Sequence, residues 1–168
     1  MIRPLSQPSI SLGGGAEEQH GIRAVLDANV VASALVNPAG VPGQIVTRLF
    51  ATSAFESIVS PGTLTELSRC VSYPRLRPYI HLDDTALAQW IEHFAIVSTV
   101  VDDEPLPAPV VHADPDDDLY FAVAVTGRAM YVVSGDRHLL GVGSYSTITV
   151  VPPRQFLQLL DAAAPPTP

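Results

Sequence analysis

Four carboxylates stand within five residues, Asp114 and Asp116 to Asp118, directly ahead of an apolar run from Leu119 to Val125. A second apolar run, Ala129 to Val133, ends on Ser134-Gly135-Asp136. This order reads as an acidic helix start, an apolar helix, a buried strand and another acid on a tight turn at the strand's end. The apolar elements pull the acids against a core instead of leaving them in solvent. A close carboxylate pair repels by roughly 1 kcal/mol at 4 Å in water, and by about four times that at an effective dielectric of 20. Raised pKa values, arginine partners or a hard divalent cation can offset that repulsion.

The rest of the chain alternates short apolar strands with helices. Ile22 to Leu26 is a strand closed by Asp27, and Val30 to Val36 is a helix with Val30, Val31, Ala34 and Leu35 on its apolar face. Gly40 and Pro42 break it before a second helix, Gln44 to Ala54. A strand Glu56 to Val59 leads to Ser60-Pro61, an N-cap with proline in the first turn, and a helix to Val71 that carries Glu66. Pro74 and Pro78 interrupt the chain, Asp83 or Asp84 caps a helix through Phe94, and Ile96 to Val101 is a strand. A proline-rich loop, Asp102 to Pro109, delivers the acidic cluster. After Asp136 come a helical turn, a glycine-rich loop, a strand Thr147 to Val151 and a helix Pro153 to Leu160. Such alternation predicts an α/β fold with a mostly parallel sheet and helices on both faces. Ligands of open sheets gather beyond the carboxyl ends of the strands, where Asp27 and Asp136 both lie.

The expected organisation is one domain over residues 21–161, with flexible segments over 1–20 and 162–168. At 168 residues and 47% hydrophobic content the chain can bury a central sheet. No apolar run reaches membrane-spanning length, the N-terminus does not read as a secretory signal, and a single cysteine, Cys70, fits a reducing cytoplasm. Cys70 reads as a small core residue. The net charge of -8 argues against a general nucleic-acid coat but not against an enzyme that acts on nucleic acid. All nine basic residues are arginine.

Each acid has a structural use as well as a chemical one. Asp27 and Asp136 suit helix caps, and Asp114 suits the N-cap ahead of Pro115, with Asp116 and Asp117 favouring the positive helix end. Asp118 lies past the capping positions and, on helical spacing, shares a face with Asp114 while Asp116 points elsewhere. Asp27, Glu66, Asp118 and Asp136 fall where the alternating fold brings them to one edge. Their oxygens suit Mg2+ or Mn2+, and no histidine pair or second cysteine at ligand spacing points to zinc. Carboxylate-held ions of this kind support hydrolysis of a phosphate ester by activated water.

Four motifs in order, Leu26-Asp27-Ala28-Asn29-Val30, Thr65-Glu66-Leu67, Asp114-Pro115-Asp116-Asp117-Asp118 with Phe121-Ala122, and Val133-Ser134-Gly135-Asp136, resemble the PIN-domain nucleases. The likeness spans about residues 22 to 160, ends on Thr149 to Leu157, and leans toward the VapC-related toxins of toxin-antitoxin systems. It implies a three-layer α/β/α sandwich and a Mg2+- or Mn2+-dependent cytoplasmic ribonuclease acting on RNA. Carried over by residue, Asp27, Glu66, Asp118 and Asp136 match the acidic quartet, with Asp114 and Asp117 as further possible ligands. Asp118 is preferred to Asp117 because the family's third acid is followed by two residues, then an aliphatic or aromatic residue and an alanine. Asn29 and Ser134 match supporting polar positions, while Ala28 stands where the family has Thr or Ser, a loss that bears on how Asp27 is oriented.

Arg69, Arg75 and Arg77 lie past Glu66 as candidate phosphate contacts. Apolar residues between Val30 and Phe50 are candidates for a homodimer contact or an antitoxin groove, beside their use in the core. Within the same fold the alternatives are a housekeeping RNA-processing nuclease or a catalytically silent binding module. A calcium-stabilised domain would use Asp114 to Asp118 but leaves Asp27 and Glu66 without a role.

Overall fold

The protein, described here by a computed structural model over residues 21–165, is built on a six-stranded sheet. Its strands are β1 (Arg23–Leu26), β2 (Glu56–Val59), β3 (Thr99–Val100), β4 (Tyr131–Val133), β5 (Ser144–Tyr145) and β6 (Ile148–Val151), in the spatial order β3-β2-β1-β4-β6-β5. All neighbours are parallel except β5 and β6. The helices are α1 (Ala28–Val36), α2 (Val41–Thr52), α3 (Pro61–Val71), α4 (Asp84–Ile96), α5 (Asp118–Thr126), α6 (Arg137–Val142) and α7 (Pro153–Ala163). Among the described residues no single helix is long and apolar enough to cross a membrane.

Strand periodicity sends alternate residues to opposite faces, and here both faces are covered. Ala24 and Leu26 of β1, Val59 of β2, Val133 of β4 and Val151 of β6 join one core with α1, α2, α3, α4 and α7. Val25, Ile58, Val132 and Val150, one register step away, join the other with α5 and Leu139 of α6. That division makes the three-layer α/β/α sandwich. α5 is apolar on nearly every side, since Tyr120 to Ala124 are all buried, as expected for a helix sunk between sheet and loop.

The strand order reverses at β1. From it β2 and β3 extend one way and β4 and β6 the other, so the gap beyond the carboxyl ends of β1 and β4 is the switch point where ligands of open sheets bind. The ladder continues past the strands, with Asp27 N donating to Val133 O (3.0 Å) and Ser134 N to Val151 O (3.1 Å). Backbone pairing therefore fixes where Asp27 and Ser134 sit.

Several boundaries differ from expectation. Ile96 ends α4 instead of opening a strand, because Trp90, Ile91 and Phe94 continue the helical stripe onto the core, and the edge strand β3 pairs with β2 over two residues only. α7 runs on through Ala163, two residues beyond the expected domain end, while residues 1–20 lie outside the described part. The glycine-rich stretch after α6 conceals the short antiparallel strand β5, turned into β6 through Ser146 at φ 54°.

α5 and α1 are joined by one buried bond, Ala28 N donating to the Tyr120 hydroxyl at 3.2 Å. Tyr120→Phe orphans that amide, so urea unfolding should show a loss of about 1–3 kcal/mol. An unchanged midpoint would show that the bond contributes nothing net.

Candidate active site

Asp27 follows β1 and is 2% exposed. Its Oδ1 caps α1 by accepting from Asn29 N (3.0 Å), and its Oδ2 accepts the Ser134 hydroxyl at 2.6 Å. The Ser134 oxygen in turn accepts from Asp136 N (2.9 Å), so one buried hydroxyl joins the acids at the ends of β1 and β4. Ala28, which lacks the expected hydroxyl, is therefore not needed to orient Asp27: Ser134 and the helix amide do it. Asp136 caps α6 through Oδ1, which accepts from His138 N at 2.7 Å.

Asn29 is held from below, its Oδ1 accepting the Cys70 thiol at 3.3 Å. Burial, then the charges of Asp27 and Glu66, push the Cys70 thiol up, so it stays a protonated donor in the core. Burial, then the charge of Asp27, likewise pushes the Tyr120 hydroxyl up. Glu66 reaches the same space from α3 and pairs with Arg69 at 2.6 Å. That bond is the main reason the Arg69 guanidinium is raised further above its ordinary value. A capping box between Ser60 and Thr63 starts α3, and Gly62 N donates to Asp103 Oδ2 (2.9 Å), tying the helix to the proline-rich loop.

The acidic cluster is sorted differently from the helical-spacing argument. Pro115 to Asp117 form a 3-10 turn capped by Asp114, and the α-helix begins only at Asp118. The tighter turn shifts every direction within the cluster. Asp118, preferred on resemblance, turns away: its Oδ1 accepts from Val110 N (3.0 Å) and Val111 N (2.7 Å), pinning the loop that buries Val111. Asp114, Asp117 and also Asp116 instead line a cleft of about 220 Å³ with Asp27, Glu66 and Asp136. Asn29, Arg69, Leu119 and Tyr120 complete its wall. Beyond Asp27, Asn29 and Asp136 a groove continues along Val30, Ser33, Pro42, Gly135 and Pro153.

The crowding shows in Asp117. Its carboxyl is pushed up to about 6, first by burial and then by the charges of Asp114, Asp136 and Asp27, against a small opposing effect of His138. The donor set suits a hard divalent cation, being rich in carboxylate oxygen. Asp114, Asp117 and His138 already hold ligand atoms within 4.8 Å of one another.

Of the candidate phosphate contacts, Arg69 lies in the cleft wall and Arg75 is exposed. Arg77 is a correction. Its guanidinium is used by the Ile80 and Leu82 carbonyls and by Asp84 (2.8 Å), which staple the turn ahead of α4. Most apolar residues between Val30 and Phe50 pack in the core, with Leu35 and Phe50 only partly covered. Asp116 and Tyr120 as cleft residues escaped the sequence reading. The one available signal was Pro115, whose position permits a tight turn as readily as an α-helical one.

The family profile described as PIN domain matches residues 23–138, which include every residue of this cleft. An uncharacterized protein, MJ1680 of Methanocaldococcus jannaschii, is 32% identical over 126 residues, covering 74% of this chain and 77% of that protein. The crystal structure of PAE2754 from Pyrobaculum aerophilum superposes with a TM-score of 0.57 over 86% of this chain and 94% of that one, at 18% identity, a likeness of fold.

The two neighbouring acids should separate by stability. Asp118→Ala orphans two loop amides and should cost about 1–3 kcal/mol at any pH near neutral. Asp117→Asn should do the reverse in metal-free buffer. Because the folded-state pKa of Asp117 is raised, its charged form opposes folding, a cost that grows as pH rises from about 4 through about 6 and is full above it. The variant should therefore melt higher than wild type at pH 7.5, with the difference fading below about pH 4. A lower melting point for Asp117→Asn at pH 7.5 would contradict the crowding.

Proposed function

Since the chain belongs to the PIN domain family, and so to a class of nucleases, we propose that it is a divalent-metal-dependent endoribonuclease whose working carboxylates are Asp27, Glu66, Asp114, Asp117 and Asp136. The observation that carries this reading is their convergence, from four separate points of the chain, in one cleft at the switch point of the sheet.

Asp27, Asp114, Asp117 and Asp136 are the residues that would hold Mg2+ or Mn2+. When bound there, the ion supplies Lewis-acid polarisation of a phosphoryl oxygen and acidifies water. The chain's own contributions follow from its geometry. Ser134 and Asn29 N fix both oxygens of Asp27, so that a ligand meets a preorganised group and not a mobile one. Asp117 carries a proton on about half the molecules near pH 6 and must give it up to serve as a ligand. Glu66 holds Arg69 at the cleft wall, where its guanidinium can take a phosphate oxygen. The groove past Asn29 and Ser33 gives a strand room to lie across the acids.

The order of the motifs, with its lean toward VapC-related chains, extends the proposal to the toxin of a toxin-antitoxin pair acting in the cytoplasm on RNA. An antitoxin would then restrain the chain. An apolar depression lined by Leu35, Val46, Phe50, Leu82 and Trp90 gives such a partner, or a second copy, a surface to use. Growth arrest on expression, relieved by the product of an adjacent small reading frame, is the expected outcome; expression without effect on growth removes the toxin role and leaves a processing nuclease.

Activity should require Mg2+ or Mn2+ and fall steeply below pH 6. Asp117→Asn should lose about a hundredfold or more in cleavage of a mixed RNA pool, a few kcal/mol of transition-state stabilisation. Asp118→Asn, assayed at a temperature where it is folded, should retain most of it. Metal-independent cleavage, or loss confined to the Asp118 variant, would refute the assignment.

A further inference from the structure

The carboxylates do not stand alone at this site, because one imidazole shares their space. His138 opens α6, its amide bonded to Asp136 Oδ1 and its neighbour Leu139 fully buried, so the backbone at this residue is fixed against the core. The ring is about one-third exposed, with Nδ1 3.8 Å from Asp136 Oδ1. It offers a nitrogen within 4.8 Å of oxygens from both Asp114 and Asp117. Ligands of one octahedral ion stand about 3 Å apart when adjacent and about 4.2 Å apart when opposed, so the three groups lie close enough to converge on one ion once their side chains turn toward it. The approach also joins separate parts of the chain, the 3-10 turn before α5 and the start of α6, which share no backbone pairing that would impose it.

We propose that His138 is a nitrogen ligand of the divalent ion, which makes this site selective for Mn2+ and later first-row ions over Mg2+. The proposal rests on the reading that the cleft binds a divalent cation. Its chemistry is direct: Mg2+ gains little from imidazole in place of water or carboxylate, whereas transition ions gain increasingly along the series from Mn2+ onward. A site of carboxylates alone would leave Mg2+, the more abundant hard ion, as the natural occupant. One imidazole tilts that balance without abolishing Mg2+ binding.

Pulsed electron paramagnetic resonance on the full chain loaded with Mn2+ tests the ligand itself, because a bound nitrogen imprints a 14N coupling on the manganese signal. Wild type should show the coupling, and His138→Ala should lose it. His112→Ala, which removes an exposed histidine two residues before Asp114, should keep it. In titrations His138→Ala should bind Mn2+ about tenfold more weakly while its Mg2+ affinity changes by less than about threefold. Bound Mn2+ without 14N coupling, or coupling that persists in His138→Ala, overturns the ligand assignment and leaves the nuclease reading standing. A wild type that binds no Mn2+ at all overturns both.

Discussion

A carboxylate buried at the carboxyl end of a central strand has to be satisfied, and here it is satisfied by a neighbouring strand. Asp27 accepts the Ser134 hydroxyl from beyond β4 and the Asn29 amide at the start of α1, and the β1–β4 ladder sets both strand ends in register. An isolated charge in that position would cost several kcal/mol. Paired in this way it becomes a fixed reference against which the other acids are placed. Ser134 also takes the Asp136 amide, so the two strand ends that define the switch point are bound into one unit before any ligand arrives.

The remaining acids are brought to that unit by elements with their own reasons to be there. α3 is started by its capping box and carries Glu66 inward. The 3-10 turn ahead of α5 aims Asp114 and Asp117 at the cleft, while Asp118 holds the incoming loop. What results is a packed core with concentrated negative charge at one edge, offset among the described residues that line the cleft by Arg69. The raised pKa of Asp117 is the local signature of that imbalance. Such strain at a site is expected where stability is given up for binding.

Much of this was legible in the sequence because it rests on short-range rules. The strands β1, β2, β4 and β6 are brief apolar runs with an acid, serine or proline after them, and the alternation with helices leaves a parallel sheet as the natural solution. Placement of Asp27 and Asp136 at one edge follows from that topology alone. Which acids of the 114–118 cluster face the cleft was not legible in the same way. Asp117 and Asp118 are chemically identical neighbours, and which one faces the cleft depends on whether Pro115 to Asp117 turn with three or 3.6 residues. The Val110 and Val111 amides, held by a loop without periodicity, take Asp118 and leave Asp117 to the cleft. The sequence places His138 beside Asp136, but its approach to Asp114 and Asp117 is a product of tertiary folding and not of spacing.

The central claim is that Asp117, and not Asp118, completes a divalent-ion site with Asp27, Asp114 and Asp136. Anomalous diffraction from crystals soaked in Mn2+, recorded at the manganese edge, tests it most directly. The account predicts a peak within bonding distance of Asp117, with the Asp118 carboxylate still on the Val110 and Val111 amides. A peak on Asp118 with its loop bonds broken, or no peak in the cleft, would contradict it.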